Sequence, residues 1–160
     1  MYQKRNNILE VLALYREDYT ARFYLREIST LTKMPVKTTQ NTLSILEPGK
    51  ILKSTLEGKN KYFKLNLDNI QTKLFLLQAE IYKTALFLEK YPQFKTFLKA
   101  ITQNISLVVF GSFAKFQAEK DSDVDLLVVA EKGTKLPSFL LHPTIHDIKL
   151  SEKGFKEAIE

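Results

Sequence analysis

Two short patterns in the C-terminal half carry residue types suited to chemistry: Gly111-Ser112, and Asp123-Val-Asp125 after ten intervening residues. A glycine directly after an apolar run lets the backbone approach a bulky anion, and a helix starting there offers free N–H groups and a positive dipole end to phosphate. Ser112 adds a hydroxyl donor. Asp123 and Asp125 are two apart, so on a strand both carboxylates face one side and can share a hard divalent cation, while Val124 turns to the core. A Mg²⁺ held by few protein carboxylates keeps positions open for triphosphate oxygens, and a second ion can activate an attacking hydroxyl while the first steadies the leaving pyrophosphate. These residues suit in-line transfer. Each pattern alone is common, the first as a turn and the second as a solvated loop end; the signal lies in their order, spacing and flanks.

The flanks are what strands require. Ile105-Ser-Leu-Val-Val-Phe110 is a near-continuous apolar run of the kind covered on both faces, and it leads straight into Gly111. A second run, Val124 to Ala130, begins inside the acidic cluster, and Thr144-Ile-His-Asp-Ile-Lys-Leu150 alternates as a third before Ser151 caps a last helix. Strands interleaved with helices make this half α/β.

Strand, Gly-Ser, short helix, then Ser-Asp-Val-Asp-Leu-Leu-Val-Val is similar to the minimal nucleotidyltransferases of the polymerase-beta superfamily, over about residues 103–150. The resemblance implies Mg²⁺ on Asp123 and Asp125, and ATP or another nucleoside triphosphate held at Gly111 and Ser112 with Lys115 and Ser122. It also implies a third carboxylate on a later strand, as metal ligand and base for the acceptor hydroxyl. Asp147 is the candidate, although alternation can put either His146 or Asp147 on the site face, according to register. His142 and His146 read as surface or packing residues. The family commonly continues Gly-Ser-x-Ala-Arg-Gly; here Ala114-Lys115-Phe116 puts a bulky aromatic where the small residue stands.

The N-terminal half has a different grammar. Ile8, Leu12 and Tyr15 share helical spacing over residues 6–16, with Asn6 or Asn7 as cap, and Leu25, Ile28 and Leu31 repeat the period over a shorter helix. Pro35 can open a third helix to about Glu47, with Val36, Leu43 and Leu46 inward. Strands at 51–56 and 61–67 flank a Glu57-Gly-Lys-Asn60 turn. Leu25-Arg-Glu-Ile-Ser-Thr-Leu-Thr, Val36-Lys-Thr-Thr-Gln-Asn-Thr-Leu-Ser-Ile-Leu-Glu and the hairpin resemble a winged helix-turn-helix module of the MarR/ArsR type over roughly residues 5–67. On the third helix Lys37, Thr38, Gln40, Asn41 and Ser44 lie opposite the apolar face and suit base edges and phosphates in a major groove; Lys53, Lys59 and Lys61 on the wing suit phosphates.

Charge agrees with that division. Residues 1–70 hold 12 Lys/Arg against 7 Asp/Glu, and residues 71–160 hold 12 against 11, so the basic excess belongs to the N-terminal part. With no cysteine, disulfides, thiolate zinc sites and cysteine nucleophiles are excluded. No long uncharged apolar run or secretory leader is present, which sets the expectation of a cytoplasmic protein with no membrane partner. Residues 70–90 form a helix apolar on both faces, implying cover from more than one side, hence a homodimer. The expected organisation is α+β and α/β: a winged helix-turn-helix domain over 1–69, a helical linker over 70–102 and a nucleotidyltransferase domain over 103–160. The expected function is Mg²⁺-dependent nucleotidyl transfer, adenylyl first, to a protein acceptor by a chain that also binds duplex DNA. By family analogy the acceptor is a toxin-like partner and the chain an autoregulating antitoxin. The alternative is a non-catalytic regulator whose second domain senses a nucleotide or mediates assembly.

Overall fold

A computed structural model describes residues 5–131, 133–137 and 144–159. The chain divides into two compact units, residues 1–86 and 87–160. Among the described residues no helix is long and apolar enough to cross a membrane.

The first unit starts with α1 (Asn7–Leu12), prolonged by a 3-10 turn over Ala13–Tyr15. Asn6 is its cap: Oδ1 accepts from the N–H groups of Ile8 and Leu9 at 3.1 and 3.2 Å. Then follow β1 (Arg22–Tyr24), α2 (Leu25–Thr32), α3 (Val36–Leu46) and the hairpin β2 (Leu52–Glu57) and β3 (Asn60–Leu65). The expected turn is there, with Gly58 at φ +59°. Strand β1 pairs antiparallel with β3, giving the order β1-β3-β2, the wing-and-strand sheet of a winged helix. No periodicity announces β1, because three residues are too few to show alternation.

The inward faces differ in part from expectation. Leu31 is exposed, and so is Val36, which sits in the first turn of α3 beyond the core. Thr39 and Thr42 take the inner positions with Leu43 and Leu46; their hydroxyls donate to the carbonyls of Pro35 and Thr38 four residues back, so the helix satisfies them locally. Helix α4 (Ile70–Lys90) buries Thr72, Ala79 and Tyr82. The Tyr82 hydroxyl donates to Glu10 Oε1 at 2.8 Å, and the Tyr15 hydroxyl donates to the Phe63 carbonyl at 3.0 Å, fixing the first helix and the wing to the core. Burial pushes the Tyr15 hydroxyl pKa well up.

The second unit holds α5 (Gln93–Ala100), β4 (Ser106–Phe110), the one-turn α6 (Gly111–Ala114), β5 (Val124–Val129), β6 (Ile145–Leu150) and α7 (Glu152–Ile159). Sheet order is β4-β5-β6, with β4 antiparallel and β6 parallel to β5. Ser151 caps α7 as expected, its Oγ accepting from Gly154 N–H at 3.1 Å. Helix α5, placed in the linker on sequence grounds, lies in this core: Phe94 and Phe97 join Tyr91, Phe113, Val124, Leu126 and Val128 in one cluster. Periodicity shows the helix but not which core it joins.

Candidate functional site

Strand β5 alternates strictly, with Val124, Leu126 and Val128 fully buried and the residues between them half-exposed. Asp125 therefore stands on the face opposite the core. Antiparallel register sets Phe110 beside it on one flank, and parallel register sets His146 beside it on the other. The His146 ring reaches both carboxylates: Nε2 is 3.9 Å from Asp123 Oδ2, and Nδ1 is 3.8 Å from Asp125 Oδ1. The expected pairing of Asp123 and Asp125 on one face is thus present, half-exposed to solvent.

Gly111 explains the close fit of the turn. It adopts φ +67°, and a Cβ built on it would fall onto Asp125 Oδ2 and lie 3.1 Å from Cγ. Glycine is required twice, for the left-handed backbone and for room at the carboxylate. Phe113 is buried against Tyr91 and Phe94, with ring centroids 4.9 and 5.5 Å away, so the turn hangs from the aromatic core. Ser112 is half-exposed on α6, its carbonyl accepting from Gln117 N–H at 2.9 Å. Lys115 is exposed at the end of that turn.

Ser122 acts on its own loop, where its Oγ accepts from Glu119 N–H at 2.8 Å and closes the segment before Asp123. Phe116 sits at φ +59°, a conformation glycine adopts freely. Its ring lies 6.2 Å from Phe87 and 6.3 Å from Tyr91, and its carbonyl accepts from Lys90 Nζ at 2.5 Å. Aromatic packing offsets the unfavourable backbone, and the side chain belongs to the core cluster.

Asp147 does not join the pair. Register sets it beside Leu126, on the other face of the sheet, where its carboxylate meets Lys149 Nζ at 2.9 Å. Of the two β6 side chains that alternation could set on the site face, His146 and Asp147, the register sets His146 there, so the expected third carboxylate is not beside the pair. His142 lies outside the described residues. A family that implies a divalent cation finds here two carboxylates and an imidazole on one face, with a backbone cradle that a Cβ would fill. Asp123 and Asp125 are the residues that would hold such an ion; among the described residues no group of three ligand side chains is placed to hold one.

Residues 92–159 match the family model described as "Nucleotidyltransferase domain". The second unit carries a nucleotidyltransferase domain. No curated protein matches the chain. Among solved structures, one similar chain is the homodimeric winged helix-turn-helix DNA-binding domain of a possible ArsR-family regulator from Mycobacterium bovis. It is 24% identical over 50% of this chain and 68% of that one, with a TM-score of 0.36. The adhesin competence repressor of Streptococcus pyogenes is 15% identical over 62% and 70%, at 0.43, and TrmBL2, an archaeal chromatin protein, 12% identical over 99% and 67%, at 0.33. The winged-helix arrangement of the first unit rests on its own element order and strand pairing.

On that first unit, Lys37, Gln40, Asn41 and Ser44 are exposed along α3, and Thr38 is half-buried. A groove of about 840 Å³ runs between α3 and the wing, lined by Gln40, Ser44, Glu47, Lys59, Asn60 and Lys61 among others. Lys59 is exposed near the wing tip. Lys61 is engaged with Glu47 at 2.7 Å, and Lys53 with Asp68 at 2.5 Å. Neither acid stands out in the sequence, since pairs 14 and 15 residues apart follow only from the hairpin.

Proposed function

We propose that this chain is a DNA-binding regulator that transfers a nucleotidyl group, adenylyl from ATP, to a protein side chain. The observation that carries the reading is the fit between Gly111 and the Asp125 carboxylate inside a domain of nucleotidyltransferase type. Asp123 and Asp125 would hold the divalent cation, Mg²⁺ in the family pattern, and Gly111, Ser112 and Lys115 would receive the triphosphate. When bound, the ion supplies charge neutralisation at the phosphates and acidifies the attacking hydroxyl. The chain's own residues orient these partners: α6 and Phe113 hold the turn, and β5 sets the carboxylate spacing.

The first unit would place α3 in a major groove through Lys37, Thr38, Gln40, Asn41 and Ser44, with Lys53, Lys59 and Lys61 toward phosphates. Two copies would join through α4, where Ile70, Leu74, Leu77 and Ile81 form an exposed stripe at four-three-four spacing. Binding upstream of its own gene, with the acceptor a toxin-like partner, would make the chain an autoregulating antitoxin. The test is incubation with labelled ATP and Mg²⁺ or Mn²⁺, alone and with proteins from the same source. Labelling of a protein band, abolished by Asp123→Asn, supports transfer. A chain that shifts its upstream DNA yet labels no acceptor is a non-catalytic regulator with a nucleotide-sensing domain. The absence of Asp147 from the site face favours that second reading.

A further inference from the structure

The outer face of the wing sheet aligns three cations. Lys64 on β3 has Arg22 on β1 as its strand partner on one side and Lys53 on β2 on the other. All three are exposed, whereas Leu52, Phe63 and Leu65, which alternate onto the opposite face, are buried. We infer that this outer face binds single-stranded RNA, an activity separate from duplex recognition by α3 and from nucleotidyl transfer.

Like charges set directly opposite one another across strands are destabilising, so such a row works against the sheet that carries it. Acids relieve only its ends: Glu57 accepts from Arg22, and Asp68 accepts from Lys53 at 2.5 Å. Both pairs lie at the surface, where such contacts contribute little and exchange readily for another anion. Lys64, in the middle, has no acidic partner among the described residues. Neighbouring strands are about 4.8 Å apart, so the row spans roughly 10 Å, enough for two phosphates.

The next row on the same face supplies what a base and a ribose need. Two residues along, about 6.6 Å away, stand Thr55, Tyr62 and Tyr24. The Arg22 guanidinium lies over the Tyr62 ring at 5.1 Å, and Tyr24 meets that ring edge-to-face at 5.7 Å. Bases stack on tyrosine rings and guanidinium planes, and they reach such groups only when unpaired. A duplex keeps its bases inside, and an acidic polypeptide would use the cations and leave the tyrosines idle. Thr55 is exposed and its hydroxyl makes no hydrogen bond among the described residues, so it can meet the ribose 2′-hydroxyl that distinguishes RNA from DNA. The groove toward α3 opens on the other face, where Lys61 and Phe63 line it, so the two surfaces stand back to back.

The experiment is fluorescence anisotropy on the full chain at about 0.1 M salt, with labelled oligo(U) and oligo(dT) of about eight nucleotides and a duplex of the chain's upstream DNA. Oligo(U) should bind at least about threefold tighter than oligo(dT), and Thr55→Val should erase that difference. Lys64→Glu should weaken oligo(U) more than about tenfold and change duplex affinity less than about twofold. Tyr62→Ala should weaken oligo(U) about tenfold. Because Lys64→Glu sets an anion between two cations, it should melt no lower than wild type. Absence of oligo(U) binding by the wild type overturns the inference. So does oligo(dT) bound as tightly as oligo(U), or displacement of oligo(U) by poly-glutamate at equal charge, the mark of attraction for charge alone. Equal weakening of RNA and duplex by Lys64→Glu places Lys64 on the duplex path and overturns it too. The wild-type comparisons decide the matter even should a variant fail to fold, and nucleotidyl transfer keeps its own readout.

Discussion

At residue scale the site depends on an atom that is missing. Gly58 and Gly111 both adopt a left-handed backbone, at φ +59° and +67°, but a Cβ at Gly58 meets nothing within 4 Å whereas one at Gly111 meets the Asp125 carboxylate. The pair separates backbone strain from collision. Gly58→Ala should lower stability by about 1–2 kcal/mol, the left-handed penalty of an L-residue, and leave divalent-ion binding unchanged. Gly111→Ala should lose at least as much stability and also weaken Mn²⁺ binding more than about tenfold, because Asp125 must move. Thermal unfolding with ion titration checks both, and equal ion affinity in the two variants would remove Gly111 from the site. Gly111, Asp123 and Asp125 are legible in the sequence because their types and spacing are restrictive. His146 is not, since a strand that alternates around a histidine and an aspartate states no register.

At the scale of elements, the surface where DNA would lie contains an anion. Glu47 ends α3 and receives hydrogen bonds from Lys61 and Ser54; the Lys61 contact first, then Ser54, holds its carboxyl below the usual glutamate range. A carboxylate in that groove repels phosphate and occupies one of the wing's cations. Glu47→Gln should tighten binding to duplex DNA about three- to tenfold near 0.1 M salt and steepen the salt dependence by about one counterion. Fluorescence anisotropy across a salt series measures both, and an unchanged slope would place Lys61 away from the phosphates. The helices and hairpin of this unit are readable because periodicity and turn residues mark them. Three-residue β1, the inward Thr39 and Thr42 and the Glu47 pairing are hidden, since each depends on contacts between distant segments.

At the scale of the whole molecule the open question is its partner. Ile70, Leu74, Leu77 and Ile81 are 66%, 55%, 58% and 62% exposed, and their spacing is that of a coiled-coil seam. By sequence α4 is apolar on both faces. One face is indeed used within the first unit, through Thr72, Ala79 and Tyr82, and the other is the exposed stripe. If two copies meet there, Leu77→Lys should bring the sedimentation mass down to that of a single 18.5 kDa chain without unfolding the winged helix. Wild type and variant sedimenting alike would exclude the stripe as the joint.

Strand β6 carries a final implication, one about register. Its residues alternate so that a slide of one position, about 3.3 Å, would bring Asp147 to Asp125 in place of His146 and turn Ile148 and Leu150 inward in place of Asp147 and Lys149. The donor set therefore depends on the length of the segment joining β5 to β6, not only on which residues β6 contains. Deletion of one residue between Ala130 and Thr144 would set Asp147 in place of His146 beside Asp125, with the residues of β6 themselves unchanged.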